Sequence, residues 1–256
     1  MRLRPMGVAA AMLGMAIFPP GCSEPKDGPQ TKAAIPAPEQ ENRPVIVDRP
    51  ISFGKLRQDL TLDYIRAHYD PAASSITIVP RIIVIHWTAS STLKSAFSTF
   101  DRERLPLWRY EIRRGGAVNV SSHFAVDRDG TIYRLMPETW MARHTIGLNR
   151  IAIGIENVGG PKLPLTAQQV AADAVLVRDL VARHRTIRYL IGHHEYLRFR
   201  GTPLWQERDS SYETGKQDPG DRFMEDLRAR VADLRLGHTW SPENPDGSPP
   251  EPHSPR

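Results

Sequence analysis

Three short apolar runs constrain what this chain can fold into. Residues 81–86 read RIIVIH, residues 151–156 read IAIGIE and residues 188–193 read RYLIGH. The first two are rich in β-branched residues, and each of the three ends in a polar one. Runs of this kind are strands buried on both faces, as in the sheets of α/β domains. The sequence between them supplies helices. Leu93, Ala96, Phe97 and Phe100 fall at helical spacing and predict an amphipathic helix. Thr166 and Gln169 form a capping box ahead of a stripe of Val170, Ala174, Val177 and Val181. A last helix is predicted over residues 221–236, with Phe223, Leu227, Val231 and Leu234 facing inward. Asp129-Gly130, flanked by Phe124, Val126, Ile132 and Tyr133, predicts a β-hairpin. Strands and helices alternate, so the expected fold class is α/β, a central mixed β-sheet flanked by helices.

The ends of the chain have a different character. Arg2 and Arg4 precede an uncharged stretch from Gly7 to Phe18, the shape of a signal-peptide core and too short to span a bilayer comfortably. Cys22, the only cysteine, follows Gly21 directly after it and resembles the acylated residue of a bacterial lipoprotein. Pro19 and Pro20 depart from the usual lipoprotein pattern, and the alternative is a cleaved secretory signal. Residues 1–22 are therefore expected to export the chain, with a lipid on Cys22 as an anchor to a membrane surface. Eight of the 23 prolines lie between Pro19 and Pro50, so residues 23–50 read as an extended linker. Residues 239–256 carry six more and read as a disordered tail. The folded domain is expected over residues 51–238. The mature protein is expected to work outside the cytoplasm, in the periplasm and lipid-anchored to the outer membrane, with secretion as the alternative; a monomer is expected.

Composition removes several function classes. A single cysteine excludes a disulfide framework and a Cys-rich zinc finger. Lys plus Arg number 34 against 29 Asp plus Glu, a mild and scattered excess that fits approach to an anionic polymer. Nucleic acid is not an expected partner, because no helix-turn-helix, RNP or zinc-finger spacing is present.

The polar ends of the three strands carry the functional signal. In α/β sheets, ligands bind beyond the strand ends, where side chains from separate strands converge. His86, Glu156 and His193 would meet there. Two imidazoles and one carboxylate suit a catalytic zinc with an open position for water. The third ligand is either Glu156 or a later carboxylate, for which Asp218 in the Gly215–Gly220 loop is a candidate. Singly, each residue has an ordinary structural reading as a hydrogen-bonded histidine, a turn former or a helix cap. Their joint occurrence is what points to a site.

The segments IVIHWTAS, SSHFAVDRDGTIYRLMPE, ARHTIGLNRIAIGIENVG, LIGHHEY and GKQDPGDRFM resemble, in order, the zinc-dependent N-acetylmuramoyl-L-alanine amidases of the amidase-2 type. That family shares a fold with peptidoglycan recognition proteins and T7-like lysozymes. The resemblance implies a peptidoglycan-recognition-protein-like amidase domain that hydrolyses the amide between N-acetylmuramic acid and L-alanine, in peptidoglycan or muropeptides. It implies one zinc per chain, held by His86, His193 and Asp218. It also implies Glu156 as the catalytic carboxylate and Lys216 as the catalytic lysine, with His144 and Asn149 in the substrate groove. Two departures stand out. Arg143 occupies a position where the family often has Trp, which would alter sugar or peptide contacts. Residues 194–215 are longer than in compact members, and Trp205 and Tyr212 are expected to wall the groove. His123 reads as structural or as support behind the ligands. His193 and His194 would point to opposite faces of a strand, so only one reaches the metal; the resemblance selects His193, with His194 as the fallback. The rival reading within the same fold is a non-catalytic peptidoglycan-binding protein. A zinc peptidase of another fold is weakened by the absence of HExxH.

Overall fold

A computed structural model describes residues 43–244. The signal segment, Cys22, most of the linker and the end of the tail lie outside the described residues. In chain order the elements are β1 (Ile46–Asp48), α1 (Lys55–His68), β2 (Ile82–Trp87), α2 (Leu93–Asp101), α3 (Tyr110–Arg113), β3 (Phe124–Val126), β4 (Ile132–Arg134), β5 (Ala152–Asn157), α4 (Ala167–Arg183), β6 (Tyr189–Gly192) and α5 (Asp221–Arg230). Short 3-10 helices follow β6 and α5, at His193–Phe199 and Ala232–Leu234.

The six strands form one sheet in the order β1-β4-β3-β5-β2-β6. It is mixed, as expected. β5, β2 and β6 run parallel, β3 is parallel to β5, and β3 and β4 form the antiparallel hairpin. The hairpin turn places Gly130 at φ +89°, where a side chain would be strained.

Period-two alternation sorts the sheet residues between two apolar layers. Ile83, Ile85, Ile153, Ile155 and Leu190 pack against Val170, Ala174 and Val177 of α4 and Phe223 and Leu227 of α5. Ile82, Val84, Ala152, Tyr189 and Ile191 pack on the other side, against Tyr64 and Ile65 of α1. The Thr166–Gln169 capping box is formed, and Gln169 Nε2 also donates to the carbonyls of Val126 and Val158, docking α4 against the sheet.

Several boundaries differ from expectation. β1 lies inside the stretch expected as linker. It pairs with β4 through three residues at the sheet edge, of which Ile46 is half-buried, too little to leave a hydrophobic pattern. Trp240, in the expected tail, packs partly buried against the layer under α1. The last helix ends at Arg230, and the chain continues into the short 3-10 helix. His193 and His194 open a 3-10 helix after β6, so strand alternation is not what separates them.

Candidate metal centre and substrate cavity

The alternation that builds the core also aims the site. His86 follows Ile82 and Val84 on the α1 side of β2. Glu156 follows Ala152 and Gly154 on the same side of β5, and the parallel register sets it directly beside His86. Ile85 pairs with Gly192, so the next residue, His193, arrives next to His86 from β6. Three neighbouring strands therefore deliver three polar side chains to one end of one sheet face.

Asp218 comes from the loop before α5. His194 holds that loop, because its backbone N–H donates to the Asp218 carbonyl at 2.9 Å and its ring lies 3.0 Å from the same oxygen. The other His194 nitrogen meets Asp221 at 2.9 Å, so His194 clamps the ligand loop instead of joining the ligands. The Glu195 carboxylate accepts from Gly192 N–H at 2.8 Å and pairs with Arg228 of α5, which fixes the turn that carries His193.

The three side chains converge tightly. His86 Nδ1 lies 3.0 Å from His193 Nδ1 and 3.2 Å from Asp218 Oδ2, and His193 Nδ1 lies 3.0 Å from that oxygen. All three residues are buried. On its far side, His86 Nε2 lies 3.0 Å from His144 Nδ1, and His144 Nε2 lies 3.3 Å from the Ala152 carbonyl. These contacts are satisfied together when both Nε2 atoms carry the proton. The lone pair of His86 Nδ1 then points at His193 and Asp218. Burial, and then the neighbouring His86, pull the His193 imidazole down to about 4, which favours its neutral form. Burial would raise Asp218, but the two imidazoles outweigh it and hold its carboxyl well below the usual range. Two imidazoles and a carboxylate, with donor atoms this close, are a donor set that fits a divalent ion such as zinc. A ligand histidine backed through its other nitrogen is likewise typical of metal sites.

Glu156 and Lys216 line the same cavity of about 250 Å3. Burial, and then the charge of Asp218, push the Glu156 carboxyl well above its ordinary value, partly offset by Arg109 and Lys216. Glu156 Oε2 is buried and accepts no hydrogen bond among the described residues. Lys216 is half-buried and forms no ion pair or hydrogen bond among the described residues.

The other expected groove residues have different occupations. His144 borders the cavity, but its ring faces His86. Gly154 makes room for it, since a Cβ there would sit 2.9 Å from the His144 ring. Asn149 is fully buried. Its Oδ1 accepts from the N–H groups of His144 and Thr145 at 2.7 and 2.6 Å, and its Nδ2 donates to Tyr69 at 2.8 Å. It lines the cavity and holds the 144–145 turn through these bonds. Trp205 is not among the cavity-lining residues. Its ring stacks on Tyr196 at 5.9 Å and covers Gly147. Tyr212 does line the cavity, with its hydroxyl accepting from Arg143 at 2.9 Å. Arg143 is buried and donates to the carbonyls of Gly116, Val118 and Ile112, so it braces the cavity wall. His123 is structural: Gly154 N–H donates to its Nδ1, its Nε2 lies 2.9 Å from the Trp140 carbonyl, and burial lowers its pKa to about 4. Arg109 lines the cavity unannounced by the sequence. It sits among Arg102, Arg104, Arg113 and Arg114, and nothing in that pattern distinguishes it.

The sequence pattern of one family, Amidase_2, described as N-acetylmuramoyl-L-alanine amidase, matches residues 77–221, more than half of the 256-residue chain. A search of curated proteins found no match. Among solved structures, the chain is similar to the endolysin N-acetylmuramoyl-L-alanine amidase LysCS from Clostridium intestinale URNW. That similarity has 22% identity and a TM-score of 0.48, over 74% of this chain and 97% of that one. It is similar to bumblebee PGRP-SA at 18% identity and a TM-score of 0.43, over 72% of this chain and 94% of that one. For AmpD the values are 20% and 0.44, over 72% and 93%.

Proposed function

The chain belongs to the Amidase_2 family of N-acetylmuramoyl-L-alanine amidases, and on that premise we propose that it is a zinc-dependent hydrolase. It cleaves the amide between the lactyl group of N-acetylmuramic acid and L-alanine. The observation that carries this reading is the convergence of His86, His193 and Asp218 within 3.0–3.2 Å, in one cavity with Glu156 and Lys216.

His86 Nδ1, His193 Nδ1 and Asp218 Oδ2 would hold the zinc. When bound, a zinc ion in such a donor set polarises a carbonyl and makes water acidic enough to attack near neutral pH. The remaining work falls to the protein. The Glu156 carboxylate accepts a proton from the attacking water and returns it to the nitrogen of L-alanine as the carbon–nitrogen bond breaks. Its free Oε2 and its raised pKa suit it to both directions of transfer. The Lys216 ammonium, which forms no ion pair among the described residues, stabilises the negative charge that develops on the carbonyl oxygen. His144 holds His86 in the tautomer that offers Nδ1, and Arg143 and Asn149 keep the surrounding wall rigid.

The catalytic reading is favoured over a pure peptidoglycan-binding one because every ligand and catalytic position is filled. We extend the proposal to the ends of the chain on sequence grounds. Export through residues 1–22, acylation of Cys22 and the Pro-rich linker would tether the domain near the wall it cleaves.

The test is mass analysis of the products formed from purified muropeptides. The expected products are a peptide with a free L-alanine amino group and a sugar with a free lactyl carboxyl. Formation should stop with a chelator and resume with added zinc. Cleavage at a sugar–sugar or peptide–peptide bond, or no cleavage by zinc-loaded protein, would overturn the reading.

A further inference from the structure

The cavity has a second polar wall away from the three donor atoms. Thr99 and Phe100 of α2 contribute to it, with Arg109 from the segment that leads into α3 and Ile112 from α3 itself. Arg109 is flanked by Trp108 and Tyr110, which are 64% and 76% exposed, whereas Arg109 is half-buried and borders the cavity. Its guanidinium makes no hydrogen bond and no ion pair among the described residues. Arg143, the other arginine of the cavity, differs in this respect, since its guanidinium is committed to three backbone carbonyls and the Tyr212 hydroxyl.

Burial lowers the Arg109 pKa, and the charge of Glu156 only partly offsets it. Glu156 is not within ion-pair distance, so the two groups face a shared space. A desolvated cation without a bonded anion is costly, and a ligand that brings an anion removes that cost. The planar fork of donors on arginine matches a carboxylate through two parallel hydrogen bonds. The substrate of the reaction above has a sugar part, whose hydroxyls are neutral, and a peptide part, which carries carboxylates. Charge balance therefore favours the peptide part.

We propose that Arg109 is a specificity-determining residue that pairs with a free carboxylate on the peptide part of the substrate. The enzyme then discriminates against peptides in which that carboxylate is a carboxamide. The inference rests on the amidase reading, because that reading supplies the ligand.

The test compares two ligands, N-acetylmuramoyl-L-alanyl-D-glutamic acid and its diamide. Binding is measured by calorimetry on zinc-loaded Glu156→Gln protein, with Arg109 intact, as Arg109→Lys and as Arg109→Met. Turnover of both ligands is measured in the same Arg109 series with Glu156 intact. With Arg109 intact, the acid should bind roughly tenfold more tightly than the diamide, as expected for a charge-assisted pair. In Arg109→Met the ratio should fall to about one. In Arg109→Lys it should be intermediate, because the charge stays and the fork is lost. Equal affinity for the two ligands with Arg109 intact overturns the inference, as does a ratio unchanged in Arg109→Met. Equal weakening of both ligands by the substitution overturns it too. Binding with the expected ratio but no turnover of either ligand would sink the amidase reading and leave the Arg109 assignment standing. Binding of neither ligand overturns both.

Discussion

At the residue scale, Glu156 has the clearest assignment. It is a buried carboxylate with one oxygen that accepts nothing, set by strand register beside His86. A glutamate kept only for structure would be expected to bond both oxygens, because an unsatisfied buried acceptor is costly. Glu156→Gln keeps the shape and removes the base. Turnover should fall by at least about a hundredfold, the range for loss of a general base, while the zinc content stays that of the unaltered protein. Kinetics and metal analysis on the same sample check this. A variant with near-normal turnover would remove Glu156 from the chemistry. A zinc-free variant would make it a ligand, the alternative that the strand-end pattern left open.

At the scale of elements, the packing of α4 under the sheet contains a second buried carboxylate with a different consequence. Asp173 is fully buried, accepts from Asn157 Nδ2 at 2.9 Å through Oδ2, and has no partner for Oδ1 among the described residues. Burial raises its pKa from 3.8 to about 7, only partly offset by the Asn157 hydrogen bond. The sign follows from linkage. The unfolded chain gives up this proton near pH 4 and the folded chain near pH 7, so stability is lost as pH rises between the two. Asp173→Asn removes that loss. Its stabilising effect should be greater at pH 8 than at pH 5 by on the order of 2 kcal/mol, or several degrees in Tm. Thermal unfolding at the two pH values measures it, and an equal effect at both would mean that Asp173 does not titrate as described.

The elements also show where the sequence was legible. β2, β5 and β6 announce themselves because strands buried on both faces must be apolar throughout. The hairpin and the α4 cap are written in turn and capping residues. α1 hides because its buried stripe carries Arg57, Thr61 and His68 beside Tyr64 and Ile65. Arg57 donates to the Phe100 and Arg102 carbonyls, and His68 lies 2.8 Å from Glu207, so tertiary partners satisfy groups that read locally as solvent-facing. The same limit governs the site. His86, Glu156 and His193 stand at the ends of readable strands. Asn149 and Trp205 lie in the right segments, yet their polar atoms or rings are committed to the scaffold, which residue type cannot reveal. Arg109 is the converse, a half-buried cation in a loop that reads as ordinary basic surface.

At the scale of the whole molecule, two apolar layers hold a mixed sheet, and the chemistry gathers at one end of one face. β2 and β6 bring His86 and His193, 107 positions apart, to within 3.0 Å, and β5 sets Glu156 beside them. The loop before α5 closes the set with Asp218, pinned from behind by His194. No helix among the described residues is long and apolar enough to cross a membrane. The central claim is that this sheet end grips one metal ion through His86, His193 and Asp218. Zinc per chain, measured by elemental mass spectrometry after loading and dialysis of the protein and its His86→Ala variant, tests that claim most directly. The expected result is one zinc per chain in the unaltered protein and almost none in the variant, with matching circular dichroism spectra. A folded variant that retains a full equivalent, or an unaltered protein that binds none, would contradict it.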